Sequence, residues 1–398
     1  MIKGGNRLTL LENGTAYFPA LLAALDAARR EIHLESYIFV ADSTGMAVAE
    51  ALMRAARRGV ETRVLLDGFG TRGLHADVLN ALRTAGVVVL FFRPDIGGLR
   101  LRRHRLRRMH RKLAVIDAKI GFVGGINLID DLHGRGLAAP RQDYAVQIEG
   151  PLVADLHDAA RRLWQHVLWS RLRLRPNEDA WLKADAHIAG SQRAAFLTRD
   201  SVRKRRAIET AYLRAIRRAR HEVLIANAYF LPGLRFRHAL IAAARRGVHV
   251  TLIMQGYSDH PLYQLAARAL YRHFLDNGVN LYEYHASELH AKVAVIDGTW
   301  STVGSSNIDP FSLLLSREAN LVIHDRAFAS QLRTSLESAL QHGGRQIHLQ
   351  DWHRTPWYAR FASWLAYGVV RLLMGIGGYA QTYDGVVKRE PRQKPIRT

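Results

Sequence analysis

The chain has no cysteine among its 398 residues, which excludes disulfides, thiolate metal sites and cysteine nucleophiles. That absence fits a reducing compartment, and a chain this long buries enough core to need no covalent staple. Lysine is almost absent as well. There are eight, so the 57 basic residues are overwhelmingly arginine. Acidic residues number 35, leaving a formal net charge of +22. Nucleic acid, an anionic membrane and anionic small molecules are all compatible with such a surface. The opening Met1-Ile2-Lys3-Gly4-Gly5 leads into Leu8–Leu11 without a long apolar run, so neither a signal peptide nor an N-terminal anchor is expected.

Two of the eight lysines fill the same slot in a pattern that occurs twice, His-x-Lys-x4-Asp. The copies are His110-Arg111-Lys112 with Asp117, and His290-Ala291-Lys292 with Asp297. Seven residues further on comes Gly-x-x-Asn in both cases, Gly124 to Asn127 and Gly304 to Asn307. A neutral imidazole can attack phosphorus, and an ammonium beside it can hold phosphate oxygens. Two copies facing each other supply a nucleophile and a proton donor. The pattern therefore reads as phosphodiester chemistry without a metal or other cofactor.

The duplication extends beyond the motif. Ala55-Ala56-Arg57-Arg58-Gly59-Val60 recurs letter for letter at Ala243–Val248, and EIHLESYIF (Glu31–Phe39) answers EVLIANAYF (Glu222–Phe230). Apolar strand-like runs alternate with helical patterns of 10–18 residues in each half, which predicts βαβ units and a sheet covered on both faces. Helices are expected at Tyr17–Arg30, Gly45–Arg58, Leu74–Ala85, Arg205–Arg220, Arg235–Arg246 and Pro261–Asn277. At about 100–200 residues per domain, two domains and a tail are expected: residues 1–170, a linker at 171–194 marked by Pro176-Asn177-Glu178-Asp179, residues 195–345, and a tail from 346 to 398.

Strands Leu113–Ile116 and Val293–Ile296 should start directly after the motif lysines. His and Lys, two apart, then point the same way, while each Asp lies an odd step beyond. Asp117 and Asp297 either join the catalytic group or hold a turn. Lys112 and Lys292 are expected to neutralise the phosphodiester and its transition state. Asn127, Asn307 and Ser305, with Gly125 opposite Ser305 in the repeat, are candidates for holding phosphate. A working histidine needs an acceptor on its far nitrogen. Asp143 and Glu318 begin the next strand of each half and are the candidates, the alternative being surface strand ends. The basic run Arg100–Lys112 leads directly into the first histidine and suits polyanionic substrates.

Phe361–Ala380 holds one charge, Arg371, in twenty residues with helical apolar spacing. A central arginine costs roughly 2.5–3.5 kcal/mol on insertion, so an element lying in the membrane interface is expected rather than a span. The competing reading is a helix docked on the protein's own core.

These motifs resemble the phospholipase D superfamily. More narrowly, Met109–Lys112, Gly124-Gly125-x-Asn127, Ala226–Phe230 and Val303–Pro310 are similar to bacterial cardiolipin synthases of the B type, over about residues 7–345. The resemblance implies two tandem phospholipase D-like α/β/α sandwich domains related by a pseudo-twofold axis, with His110, Lys112, His290 and Lys292 in one pocket. It implies a phosphatidyltransferase joining two phosphatidylglycerols through a phosphohistidine, at the cytoplasmic face of a bacterial inner membrane. Anionic phospholipid and the membrane surface are then the partners, rather than nucleic acid. Spacing does not say which histidine attacks; His110 is favoured. The chain departs from many family members at Asp309-Pro310-Phe311-Ser312, where they place Arg-Ser. A phospholipase or nuclease with the same site is the competing function, and the oligomeric state is not readable from the sequence.

Overall fold

The computed structural model describes residues 1–93, 108–132, 140–170, 181–185, 187–200, 204–257, 261–309 and 316–376. The Pro176–Asp179 linker, most of the basic run from Arg100, Pro310–Ser312 and everything after Ile376 lie outside those residues.

The first half contributes β1 (Lys3–Glu12), β2 (Glu31–Ser36), β3 (Glu61–Asp67), β4 (Val88–Phe92), β5 (Lys112–Ile116), β6 (Ile120–Gly124) and β7 (Tyr144–Glu149). The second repeats that series as β8 (Gln192–Arg199), β9 (Glu222–Asn227), β10 (His249–Gln255), β11 (Asn280–Tyr284), β12 (Lys292–Ile296), β13 (Trp300–Gly304) and β14 (Glu318–His324), then adds β15 (Gly344–Ile347). Strand order is β15-β11-β10-β9-β12-β13-β14-β8-β1-β7-β6-β5-β2-β3-β4. The duplication is thus mirrored strand for strand about the β1·β8 junction, and the two α/β units share one hydrogen-bonded sheet system.

The strands are apolar on consecutive residues because both faces are covered. In β5, Leu113 and Val115 enter the core between the halves, while Ala114 and Ile116 enter the outer core of the first half. In β12, Val293 and Val295 take the inner core and Ala294 and Ile296 the outer. The inner core also receives Leu156 and Ala160 from helix Val153–Ser170, and Phe328, Leu332 and Leu336 from helix Arg326–Gly343.

Helices fall close to their expected places, Asn13–Ala27, Ser43–Arg57, Ala76–Thr84, Ala207–Arg218 and Leu234–Arg245. The expected helix over 261–277 is two, Pro261–Arg268 and Tyr271–Leu275, with Arg268 and Tyr271 both donating to the Glu283 carboxylate. In the tail, helix Trp357–Ile376 packs one face against helix Pro261–Arg268, burying Ser363, Ala366 and Val370. Its other face leaves Trp357, Phe361, Trp364, Leu365 and Leu372 exposed. Among the described residues, no helix is long and apolar enough to cross a membrane.

Candidate active site

Each motif lysine is the first residue of its strand, β5 or β12, at the edge where β2 and β9 end. The approach segments are stitched across the halves. His110 N–H donates to the Arg317 carbonyl, and His290 N–H donates to the Gln142 carbonyl. These two bridges run parallel, so the motif ends of both halves emerge at the same edge. Within each half the entry is clamped in the same way: Asp67, closing β3, accepts from Met109 N–H at 2.8 Å, and Gln255, closing β10, accepts from Leu289 N–H at 2.5 Å.

The histidine partners are exchanged between the halves. His110 Nδ1 lies 3.1 Å from Glu318 Oε2 of the second half, and His290 Nδ1 lies 2.5 Å from Asp143 Oδ2 of the first. Asp143 and Glu318 therefore do sit on the motif histidines, but each on the other repeat's. A carboxylate at Nδ1 selects the Nδ1–H tautomer and leaves the Nε2 lone pair for chemistry. Burial lowers the His110 imidazole, with Lys112 adding to the effect and Glu318 opposing it. Burial also pushes His290 well below its ordinary value, joined by Lys292 and Lys112. Both shifts favour the neutral imidazole.

The lysines are buried and electrostatically coupled. Burial, then the charge of Lys292, brings Lys112 down to about 7, and burial brings Lys292 down to about 8. Each ammonium donates back to the carbonyl of its own motif histidine, Lys112 at 2.9 Å. Asp143 is raised by burial to about 6 against the pull of Lys292. Two buried cations with depressed pKa values make a site that an incoming phosphate relieves.

Asp117 and Asp297 do not reach this pocket and leave the list of catalytic candidates. Both have positive φ, 51° and 49°, in the three-residue turns joining β5 to β6 and β12 to β13. Asp117 accepts from the N–H groups of Arg29, Arg30 and Glu31, and Asp297 from those of Arg220, His221 and Glu222. They tie each hairpin to the start of β2 or β9, at the end opposite the histidines.

Ser305 is also placed differently from expectation. It is buried, donates to Glu318 Oε2 at 2.5 Å and accepts from Ala319 N–H at 3.0 Å, so it sets the carboxylate rather than facing phosphate. Its counterpart Gly125 leaves room: a Cβ there would stand 2.2 Å from Asp143 Oδ1. Asn127 Oδ1 accepts from Ile38 N–H at 3.2 Å, and Asn307 keeps a buried Oδ1 with no hydrogen-bond partner in the structure. Both asparagines are buried beside the site.

Sequence reasoning missed two contributors. The Tyr37 ring meets His110 edge-on at 4.8 Å, and Lys112 Nζ lies 5.3 Å from its centre. Arg111 forms a buried two-pronged ion pair with Glu35 at 2.7 and 2.5 Å. Strand register sets Ala228 opposite Tyr37 in the repeat, and Ala226 and Ala291 opposite Glu35 and Arg111. The differences were visible in the aligned strings, but a mismatch between repeats carries no sign of what it touches.

Glu31, His33 and His157 form another cluster of metal-ligating type among the described residues, on the first half alone. The Arg63 guanidinium stands 3.4 Å from His33 Nε2 and 3.6 Å from Glu31 Oε2, taking the place a cation would need. In the second half the equivalent carboxylate, Glu222, pairs with Arg333 at 2.8 Å.

Known proteins match this chain along most of its length. The family model described as "Cardiolipin synthase, PLD-like domain" matches residues 21–164 and 212–340. The chain is 40% identical over 397 residues to cardiolipin synthase B of Salmonella typhi, covering 97% of this chain and 93% of that protein. It is 32% identical over 359 residues to cardiolipin synthase A of Yersinia pseudotuberculosis, covering 88% and 73%. In fold it is similar to phosphatidylserine synthase of Haemophilus influenzae, with TM-score 0.67 at 13% identity over 94% of each chain. A doubled motif carried by a doubled domain, each half matched separately, places this chain in the phospholipase D-like cardiolipin synthase family.

Proposed function

We propose that the protein transfers a phosphatidyl group from one phosphatidylglycerol to another, giving cardiolipin and glycerol at the surface of an anionic membrane. The observation that carries the reading is the exchanged pairing: two neutral imidazoles, each oriented by the other half's carboxylate, beside two buried lysines. Nε2 of one histidine attacks phosphorus while the phosphorus–oxygen bond to glycerol breaks. The other histidine, charged once the phosphate is bound, gives its proton to the departing glycerol oxygen. That histidine, now neutral, takes the proton from the hydroxyl of a second phosphatidylglycerol as this oxygen attacks the phosphohistidine and frees the first ring. Lys112 and Lys292 stabilise the charge on the phosphoryl oxygens in both steps. We favour His110 as nucleophile.

The naming of the curated relatives as cardiolipin synthases supports the same reading. The amphipathic helix Trp357–Ile376 supports attachment from one side of a bilayer, and the cytoplasmic face is the side we propose. The test is to incubate purified protein with labelled phosphatidylglycerol alone. Cardiolipin with equimolar glycerol is expected; phosphatidic acid as the main product would instead mean hydrolysis.

A further inference from the structure

Resting on that reading, we infer that the edge of the sheet bearing the motifs lies flat on an anionic bilayer, with Phe69 and Tyr257 as a twofold-related pair of anchors beside the two halves of the site. Phe69 follows the end of β3 by two residues and Tyr257 follows the end of β10 by two. They occupy the same position in the two repeats. The residues that close those strands, Asp67 and Gln255, are the ones that clamp Met109 and Leu289, immediately before the motif histidines. Each aromatic therefore stands at the entry of one half. Both are large apolar rings left outside the core, 43% and 64% exposed. Single exposed apolar residues are ordinary, but an equivalent pair flanking one pocket is a pattern.

The surroundings fit a lipid headgroup layer. Arg72 and Arg108 stand over the Phe69 ring at 4.5 and 4.8 Å, placing cations at the level of the aromatic. The net charge of +22 favours an anionic surface over a neutral one. Helix Pro261–Arg268, which begins four residues after Tyr257, exposes Leu262 and carries the tail helix with its apolar outer face. Aromatic rings with an adjacent cation are the groups that settle at a membrane interface. A site that joins two lipids needs two lipids delivered to it, and one anchor per half matches that demand. Val88, at the start of β4 and so at the opposite end of the sheet, is 51% exposed and serves as the control.

The experiment compares wild type, Phe69→Ser/Tyr257→Ser and Val88→Ser. Vesicle sedimentation uses equal parts phosphatidylglycerol and phosphatidylcholine, or phosphatidylcholine alone. Turnover is measured on the mixed vesicles and on a short-chain phosphatidylglycerol kept monomeric. The double variant should bind mixed vesicles about a hundredfold more weakly, about tenfold for each buried ring. Its vesicle turnover should fall at least about tenfold further than its monomer turnover. Val88→Ser should match wild type on both. Wild-type vesicle binding by the double variant, an equal loss in Val88→Ser, or equal losses on vesicle and monomer would overturn the inference. A wild type that binds vesicles but makes no cardiolipin from either substrate form would sink the proposed function and leave the binding comparison standing.

Discussion

Gly125→Ala is expected to damage the site through a residue that touches no substrate. The new methyl carbon would sit 2.2 Å from Asp143 Oδ1 and 2.7 Å from Oδ2, far inside contact distance. Asp143 is buried and held by Tyr144 N–H at 2.8 Å and His290 Nδ1 at 2.5 Å, so the carboxylate must turn away from one of them. Losing a hydrogen bond to a charged group costs about 1.5–3 kcal/mol. If that loss falls on the oriented histidine, kcat drops about 10- to 150-fold. Removing Asp143 itself removes the clash, so Gly125→Ala should add little in an Asp143→Ala background. The equivalent change in the other half, Ser305→Ala, introduces no clash and removes one hydroxyl from Glu318. That bond too is to a carboxylate and is worth about 1.5–3 kcal/mol, but His110 Nδ1 keeps both Glu318 Oε2 and the Ser305 carbonyl as acceptors, so kcat should fall less than in Gly125→Ala. Steady-state cardiolipin formation across this cycle, with thermal melts to follow folding, reads the coupling. A Gly125→Ala effect that persists undiminished without Asp143, or equal effects at Gly125 and Ser305, refutes the reasoning.

Glu35 and Arg111 offer a second cycle, in stability: removing one member of this buried pair should cost about 3–5 kcal/mol, whereas Glu35→Leu/Arg111→Met together should stay near wild type, as the apolar Ala226 and Ala291 of the repeat suggest. Denaturant titration checks it, and additive losses would contradict it. Phosphate binding should take up protons, because burial lowers Lys112 and Lys292 to about 7 and 8 and a bound anion restores their charged forms. Calorimetry at pH 8 in buffers of different ionisation enthalpy measures the uptake, and binding with no uptake would argue against buried, depressed lysines. On the same grounds, kcat/KM should fall as pH rises through 7 to 8 and the free site loses its cations.

Much of the fold was legible because the repeat was legible. A string such as Ala55–Val60, copied at Ala243–Val248, registers β2–β3 against β9–β10 without any structural knowledge. Both histidines and both lysines followed from the same copying. What stayed hidden was pairing across the twofold axis. Spacing along the chain relates Asp143 to its own half, and nothing in one half's sequence says that its carboxylate serves the other half's histidine. The motif aspartates misled for a related reason: their recurrence reflects an identical hairpin in each half, where φ near +50° and three backbone donors favour that residue type. For the tail, periodicity disclosed an amphipathic helix, but both the docked and the interfacial readings required one. Small Ser363, Ala366 and Val370 turn inward, and the bulky aromatics face out.

The most direct test of the central claim is a rapid acid-free quench of the enzyme turning over phosphatidylglycerol labelled at phosphorus, followed by peptide mapping. Label is expected on one motif histidine only, His110 or His290, with none in the alanine variant of that residue and no cardiolipin from either single variant. Label on a serine, lysine or aspartate, or sustained cardiolipin synthesis by His110→Ala or His290→Ala, would contradict that claim.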